Sequence, residues 1–189
     1  MASTEIAVIG GGITGGSVAW QLAAHGAGHV TVYKKSVVAA GASGRTGALL
    51  RRHYTNEPEA RLAQLGWEIF SNWDERVGGS CGHVPWPVIV TVATKGEYAS
   101  NIELMRQNIA MQNRLGIDSR LIDAEEFQEL QPHSYVGDVD YVSFESDSGY
   151  VDSVQATQSM MEAAVRSGVT FREDSEVIGI LTSGGRVRG

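Results

Sequence analysis

The chain has 189 residues, 42% of them hydrophobic, and a formal net charge of −7. This composition provides a core for one domain, or for part of a larger one, and argues against a disordered chain. The acidic balance argues against a nucleic-acid partner or an anionic membrane surface, because either would require a basic face. Cys81 is the only cysteine, so neither a disulfide within the chain nor a cysteine metal site can form.

The first predicted elements form a strand, turn, helix and strand. Residues 5–9 are a short apolar run that predicts a buried parallel strand, and the run stops at three glycines. Residues 13–25 predict a helix with Val18 and Leu22 on one face, and residues 29–33 predict a second strand. This order predicts a right-handed βαβ unit.

The turn between the first strand and the helix matches a dinucleotide-binding fingerprint. Gly10, Gly12 and Gly15 have the spacing Gly-x-Gly-x-x-Gly, and Ile13 and Thr14 lie within it. The first glycine permits a tight turn, the second lets a pyrophosphate approach the backbone, and the third lets the helix pack on the strand. Free N–H groups at the helix start then bind phosphate. We predict that these five residues contact a dinucleotide.

The end of the second strand departs from that fingerprint. An acidic residue there normally accepts hydrogen bonds from the adenosine ribose, but Lys34 stands at this position, between Tyr33 and Lys35. A cation would favour a ribose 2′-phosphate, so NADP is one interpretation. The other is a tolerated substitution that weakens the binding of the ribose. The residues alone leave both open, and all three are predicted to lie beside the nucleotide.

A loop of small residues and a long helix are predicted next. The loop covers residues 36–47, and a loop of this length inside a compact domain is usually functional. Asn56 is the candidate cap of the helix, and Pro58 suits its first turn. The helix is predicted to reach about Arg76 and to bury four apolar side chains, Leu62, Leu65, Ile69 and Trp73.

The remainder of the chain mixes strands and helices. Residues 84–94 alternate like an edge strand. Further helices are predicted over 98–115, over 124–130 with Asp123 as cap, and over 153–167 with Asp152 as cap. Strands are predicted over 141–144, 170–173 and 176–181, and a hairpin turn over 183–185.

Two glycine-rich blocks together resemble the FAD-dependent amine and amino-acid oxidases. Residues 10–15, and residues 41–49 followed by Arg51-Arg52-His53-Tyr54, resemble the sarcosine oxidase, glycine oxidase and D-amino-acid oxidase group. The resemblance implies an α/β fold: a three-layer, Rossmann-type FAD-binding domain with part of an α+β substrate domain inserted. Residues 1–83 and 150–189 would belong to the FAD-binding domain, and residues 84–149 to the substrate domain.

The resemblance also implies site residues. The second glycine-rich loop would wrap the FAD pyrophosphate and reach toward the flavin, using Ala42, Ser43, Arg45, Thr46, Gly47, Ala48 and Leu49. Val177 would contact the adenine through backbone atoms. Arg51 falls near a position where sarcosine oxidases place a basic residue close to flavin and substrate, and a surface arginine at a strand end is the alternative. His53 and Cys81 do not match the group's covalent attachment motifs, so this half of the chain is expected to bind FAD noncovalently.

The implied reaction is oxidation of a C–N bond in a small amine or amino acid, with hydride transfer to the flavin and hydrolysis of the imine. Two alternatives are an NADP-dependent reductase and a nucleotide-binding subunit that is inactive without a partner chain. Chains of this group are longer, so this chain is expected to be a fragment or half of a split enzyme, with the remaining half as its partner. We also expect a cytoplasmic protein with no membrane span, no signal peptide and no metal site.

Overall fold

The computed structural model of the chain describes residues 5–188. The helices are α1 (Ile13–Ala24), α2 (Glu57–Phe70), α3 (Trp73–Arg76), α4 (Asn101–Arg114), α5 (Ala124–Leu130) and α6 (Ser153–Arg166). The strands are β1 (Glu5–Ile9), β2 (His29–Tyr33), β3 (Leu49–Leu50), β4 (Val84–Pro85), β5 (Val88–Val90), β6 (Ser119–Asp123), β7 (Tyr141–Glu145), β8 (Gly149–Tyr150), β9 (Thr170–Arg172), β10 (Thr182–Ser183) and β11 (Arg186–Val187). Short 3₁₀ helices cover Ala42–Arg45 and Gly96–Tyr98.

The chain packs as two compact units. The first contains the described residues up to Ala48, residues 73–82 and the described residues from Asp152 onward. The second contains residues 49–72 and 83–151. By packing, the segment 49–72 therefore groups with the second unit. The correspondence between these units and the FAD-binding and substrate domains stays a prediction.

A parallel sheet forms the centre of the first unit. Its strand order is β1-β2-β9, and both pairings are parallel. The β-branched residues of β2 and the small residues of α1 and α6 pack closely, and the buried core consists of Ala19, Val30, Val32, Met161, Ala164 and Val169. Asp152 caps α6 by accepting hydrogen bonds from the N–H groups of Val154 and Gln155. The predicted α/β fold with a Rossmann-type parallel sheet is confirmed.

Antiparallel sheets form the second unit. One has the order β5-β7-β6 and the other the order β3-β8-β4. The first packs on an apolar cluster of Ile122, Phe127, Val139 and Val142. Asp123 caps α5 as predicted, because its carboxylate accepts a hydrogen bond from the N–H of Glu126 at 2.9 Å. The strand β6 was not predicted from the sequence.

The long helix predicted up to Arg76 is wrong in its extent and in part of its buried face. The helix α2 ends at Phe70. The N–H of Asn72 donates to the carbonyl of Ile69, three residues back, and the Asn72 side chain donates to the Glu68 carbonyl that would accept the next helical bond. Leu62 and Leu65 are 68% and 58% exposed. The predicted cap by Asn56 is confirmed, since its side chain accepts a hydrogen bond from the N–H of Glu59 at 3.0 Å.

Two further predictions need correction. Residues 176–181 form no regular strand, and Ile178 is 95% exposed. The hairpin turn is confirmed, with β10 and β11 joined by Gly184 and Gly185, both of which have positive φ angles. Val18 is 46% exposed, whereas Leu22 packs against the core of the first unit and Gly16 and Ala19 are buried. No helix in the described part of the chain is long and apolar enough to cross a membrane.

Candidate functional site

The glycine turn joins β1 to α1 with a geometry that only glycine suits. Gly10 has a φ of +112°, and its N–H donates to the carbonyl of Tyr33 at 2.8 Å, which ties the turn to β2. A Cβ on Gly15 would lie 1.9 Å from the carbonyl oxygen of Gly10. The helix therefore packs against the turn too closely for any side chain. This turn lies at the carboxyl ends of the parallel strands, the usual position of a nucleotide site in such sheets.

The first turn of α1 suits an anionic ligand. Its cap is Gly12, which offers no capping side chain, and no acidic residue lies in the first turn. The N–H of Ile13 donates to the Ser43 hydroxyl at 3.1 Å. The N–H groups of Thr14 and Gly15 have no helical acceptor, because they belong to the first turn. These donors and the positive end of the helix dipole fit the phosphates of a dinucleotide.

The second glycine-rich loop folds tightly on itself in the first unit. A Cβ on Gly44 would lie 2.0 Å from the carbonyl oxygen of Ala39, so this position excludes any side chain. Thr46 accepts a hydrogen bond from the N–H of Ala48 at 3.1 Å. Ser43 is brought to the start of α1. Cofactor contacts of all the predicted loop residues stay predictions: Ala42, Ser43, Arg45, Thr46, Gly47, Ala48 and Leu49.

The end of β2 is tied to the segment after β9. The N–H of Lys34 donates to the carbonyl of Arg172 at 2.9 Å. The ammonium of Lys35 donates to Glu176 at 2.7 Å, and this hydrogen bond raises the pKa of Lys35. Tyr33 is half-buried within β2, and Val177 is 37% exposed on the irregular segment that follows. Their nucleotide contacts stay predictions.

Arg51 lies in the second unit, just after β3. Its side chain is exposed, and Nη1 donates to the carbonyl of His53 at 2.8 Å. The guanidinium lies 4.7 Å from the centre of the Tyr54 ring. These two contacts fix the side chain. An arginine has five N–H donors, so most of them remain available for an anion.

A buried ion pair next to Arg51 was missed by the sequence reasoning. Arg52 and Glu145 are 3% and 1% exposed, and Nε of Arg52 donates to Oε1 of Glu145 at 3.1 Å. Glu145 also accepts hydrogen bonds from the backbone N–H groups of Arg52 and His53 and from the Ser148 hydroxyl. Glu145 therefore fixes the backbone that follows Arg51. The only indication in the sequence is that Glu145 is a carboxylate at the end of an otherwise uncharged strand. Its partner Arg52 lies 93 residues away.

His53 is buried beside this ion pair. Burial lowers the pKa of its imidazole, and the negative charge of Glu145 opposes that shift. Nδ1 accepts a hydrogen bond from Nε2 of Gln112 at 3.2 Å, and the Ser143 hydroxyl lies 3.3 Å away. An imidazole that accepts at this nitrogen is neutral. His53 therefore serves the second unit as a neutral, hydrogen-bonded core residue.

Comparisons with known proteins identify the relatives of the chain. The family model described as DAO, FAD dependent oxidoreductase, matches residues 5–189. The chain is similar to L-proline dehydrogenase from P. horikoshii, with a TM-score of 0.84 and 28% identity over 98% of this chain and 48% of that one. The resemblance predicted from the two glycine-rich blocks is confirmed.

Curated relatives match at lower identity. The chain is 24% identical to 4-methylaminobutanoate oxidase (formaldehyde-forming) from Paenarthrobacter nicotinovorans, over 96% of this chain and 22% of that protein. It is also 24% identical to the mitochondrial pyruvate dehydrogenase phosphatase regulatory subunit of Mus musculus, over 100% of this chain and 21% of that protein. The chain thus spans about a fifth of the length of these curated relatives.

Proposed function

Because the chain belongs to the FAD dependent oxidoreductase family, we propose that it binds the ADP part of FAD and contributes to the oxidation of a C–N bond in a small amine or amino acid. The observation that carries this proposal is the glycine turn. Its helix start has no acidic residue in the first turn, and its Thr14 and Gly15 N–H groups have no helical acceptor, so it fits a diphosphate. When bound, FAD supplies the hydride acceptor, and the protein supplies binding, orientation and electrostatics.

The proposed cofactor residues follow from the two glycine-rich blocks. The diphosphate would be held at Gly10, Gly12, Ile13, Thr14 and Gly15, because the second glycine of this fingerprint is the one that lets a phosphate approach the backbone. The Ser43 hydroxyl already contacts the N–H of Ile13, so it adds a polar group to the same place. The further proposed contacts are Tyr33, Lys34, Lys35, Ala42, Arg45, Thr46, Gly47, Ala48, Leu49 and Val177.

We propose that Arg51 binds the carboxylate of an amino-acid substrate. A guanidinium pairs strongly with a carboxylate through charge-assisted hydrogen bonds. The proposal is supported by the anchoring of Arg51 on the His53 carbonyl and the Tyr54 ring, which reduces the entropy lost when an anion binds. The carboxylate of Glu145 supports this arrangement by holding the backbone N–H groups of Arg52 and His53.

A second candidate function is a nucleotide-binding subunit without turnover of its own. It is favoured by the name of the mouse relative, which is a regulatory subunit. In either function the relatives are longer than this chain, so we propose that a further polypeptide segment, in the same chain or in a separate subunit, completes the site.

We also propose a location in the reducing cytoplasm. The sequence contains a single cysteine, which fits that compartment.

The intact protein tests the proposed function. Acid precipitation should release a yellow compound that chromatography identifies as FAD. Anaerobic addition of amines and amino acids should bleach the visible flavin band with at least one substrate. A colourless protein that binds NADPH would contradict the proposal. A flavin-loaded protein that no amine or amino acid reduces would favour the binding subunit instead.

A further inference from the structure

Lys34 occupies a fixed position beside the glycine turn. Its N–H donates to the carbonyl of Arg172, and its own carbonyl accepts a hydrogen bond from the N–H of Ser175 at 2.8 Å. The backbone of Lys34 is therefore held on both sides by the end of β9 and the turn that follows. These two hydrogen bonds fix the position of the Lys34 Cα, from which the side chain extends.

The side chain of Lys34 runs back across the glycine turn toward the second glycine-rich loop. A Cβ placed on Gly11 would lie 3.2 Å from both Cβ and Cδ of Lys34. A Cβ placed on Gly41 would lie 3.7 Å from Nζ of Lys34. The methylene chain thus lies over the first glycine block, and the ammonium lies at the start of the second. At Gly11 the absence of a Cβ leaves room for this side chain.

The nearby acidic side chains are engaged elsewhere. Glu176 pairs with the ammonium of Lys35, and Glu173 accepts a hydrogen bond from the N–H of Val38 at 2.9 Å. Among the residues that the structure describes, Lys34 makes no ion pair. Its positive charge is therefore not neutralised by the protein, although the side chain is half-buried.

We propose that the ammonium of Lys34 binds the diphosphate of the dinucleotide, an inference that rests on the proposed binding of FAD. An ammonium has three donors and no acceptor, so it cannot receive the hydrogen bonds that ribose hydroxyls donate to an acidic residue. A charged phosphate oxygen is a stronger partner for it than a neutral hydroxyl. The cofactor is thus held at this end by charge on the phosphates, and the substitution of the usual acid moves one binding contact from the ribose to the diphosphate.

The test uses the intact protein stripped of its flavin and three probes: ADP, adenosine and adenosine 2′-phosphate. Calorimetric titration should show that Lys34→Gln weakens the binding of ADP at least tenfold and changes the affinity for adenosine less than twofold. Lys34→Glu should weaken ADP further, and Lys34→Arg should retain most of the affinity. Lys95→Gln, which removes an exposed cation from the second unit, should match the wild type.

Three results would overturn the inference. If Lys34→Glu binds ADP as tightly as the wild type or more tightly, the position acts through the ribose. If Lys34→Gln weakens the binding of adenosine 2′-phosphate only, the ammonium binds a ribose phosphate and not the diphosphate. If Lys34→Gln changes no probe, the side chain is not a ligand. If one of these results is obtained and the wild-type protein still binds FAD, only the role of Lys34 is refuted. If the wild-type protein binds neither FAD nor ADP, the proposed function is refuted as well.

Discussion

The polar groups at the start of α1, in the first unit, differ from those around Glu145, in the second unit. In the first unit, the start of α1 keeps backbone N–H groups free of any acidic side chain, and the ion pair between Lys35 and Glu176 is exposed. In the second unit, Arg52 and Glu145 are buried and satisfy each other. A binding surface needs donors that are available to a ligand, whereas a core needs donors that already have partners. We expect this difference if the start of α1 binds an anion and Glu145 holds the backbone next to Arg51.

The largest effect is expected in the second unit, from Glu145→Ala. This change leaves the Arg52 guanidinium buried without its partner, which costs about 3–5 kcal/mol. Urea unfolding of the intact protein measures the loss. The control is Glu57→Ala, which removes an exposed pair with Arg61 and should cost at most about 1 kcal/mol. Equal losses in the two variants would show that the buried pair has no special role in the second unit.

The contrast between the units also explains what the sequence could predict. The glycine turn was predicted correctly as a local structure, because its spacing lies within six residues and each glycine has its own steric reason. The pair of Arg52 and Glu145 joins residues 93 positions apart, and no local pattern records such a contact. Glu145 lies at the end of β7 and Arg52 lies just after β3, so the pair depends on the tertiary fold of the second unit.

Other errors have the same origin. Leu62 and Leu65 recur at helical spacing, but a periodic pattern shows which residues share a face and not what covers that face. The segment 176–181 is rich in strand-forming residues, yet a strand also needs a neighbour with which to pair. The caps Asn56, Asp123 and Asp152 were predicted correctly because a cap bonds the backbone two or three residues away.

A smaller effect is expected in the first unit from Gly15→Ala. The added Cβ would meet the carbonyl oxygen of Gly10, and relief of that overlap requires a backbone shift that costs about 1–3 kcal/mol. Gly66→Ala is the matched control, because a Cβ there meets open space within α2. That control should stabilise the protein by up to about 1 kcal/mol. Thermal unfolding compares the two, and a stabilised Gly15→Ala variant would mean that the turn is not packed as described.

The smallest effect is expected from the buried imidazole of the second unit. Burial lowers the pKa of His53 in the folded state below its ordinary value of 6.5. The unfolded chain therefore binds the proton first, so this contribution to stability is complete above about pH 6.5 and is lost as the pH falls through the lower folded pKa. The urea concentration at the unfolding midpoint should therefore decrease as the pH is lowered from about 7 to about 5. His53→Gln should show a smaller fall, and an unchanged pH dependence would place the responsible group elsewhere.

The central claim, that the glycine turn binds the phosphates of FAD, is tested most directly by titrating flavin-free Gly12→Ala protein with FAD. The added Cβ would lie 2.7 Å from the Ser43 hydroxyl, a side-chain end that can move, so the fold should persist. In this fingerprint a phosphate approaches the backbone at the second glycine, so we expect a side chain there to obstruct it. We predict at least tenfold weaker binding than in the wild type or in Gly66→Ala, equivalent to about 1.4 kcal/mol. An FAD affinity equal to that of the wild type would contradict the claim.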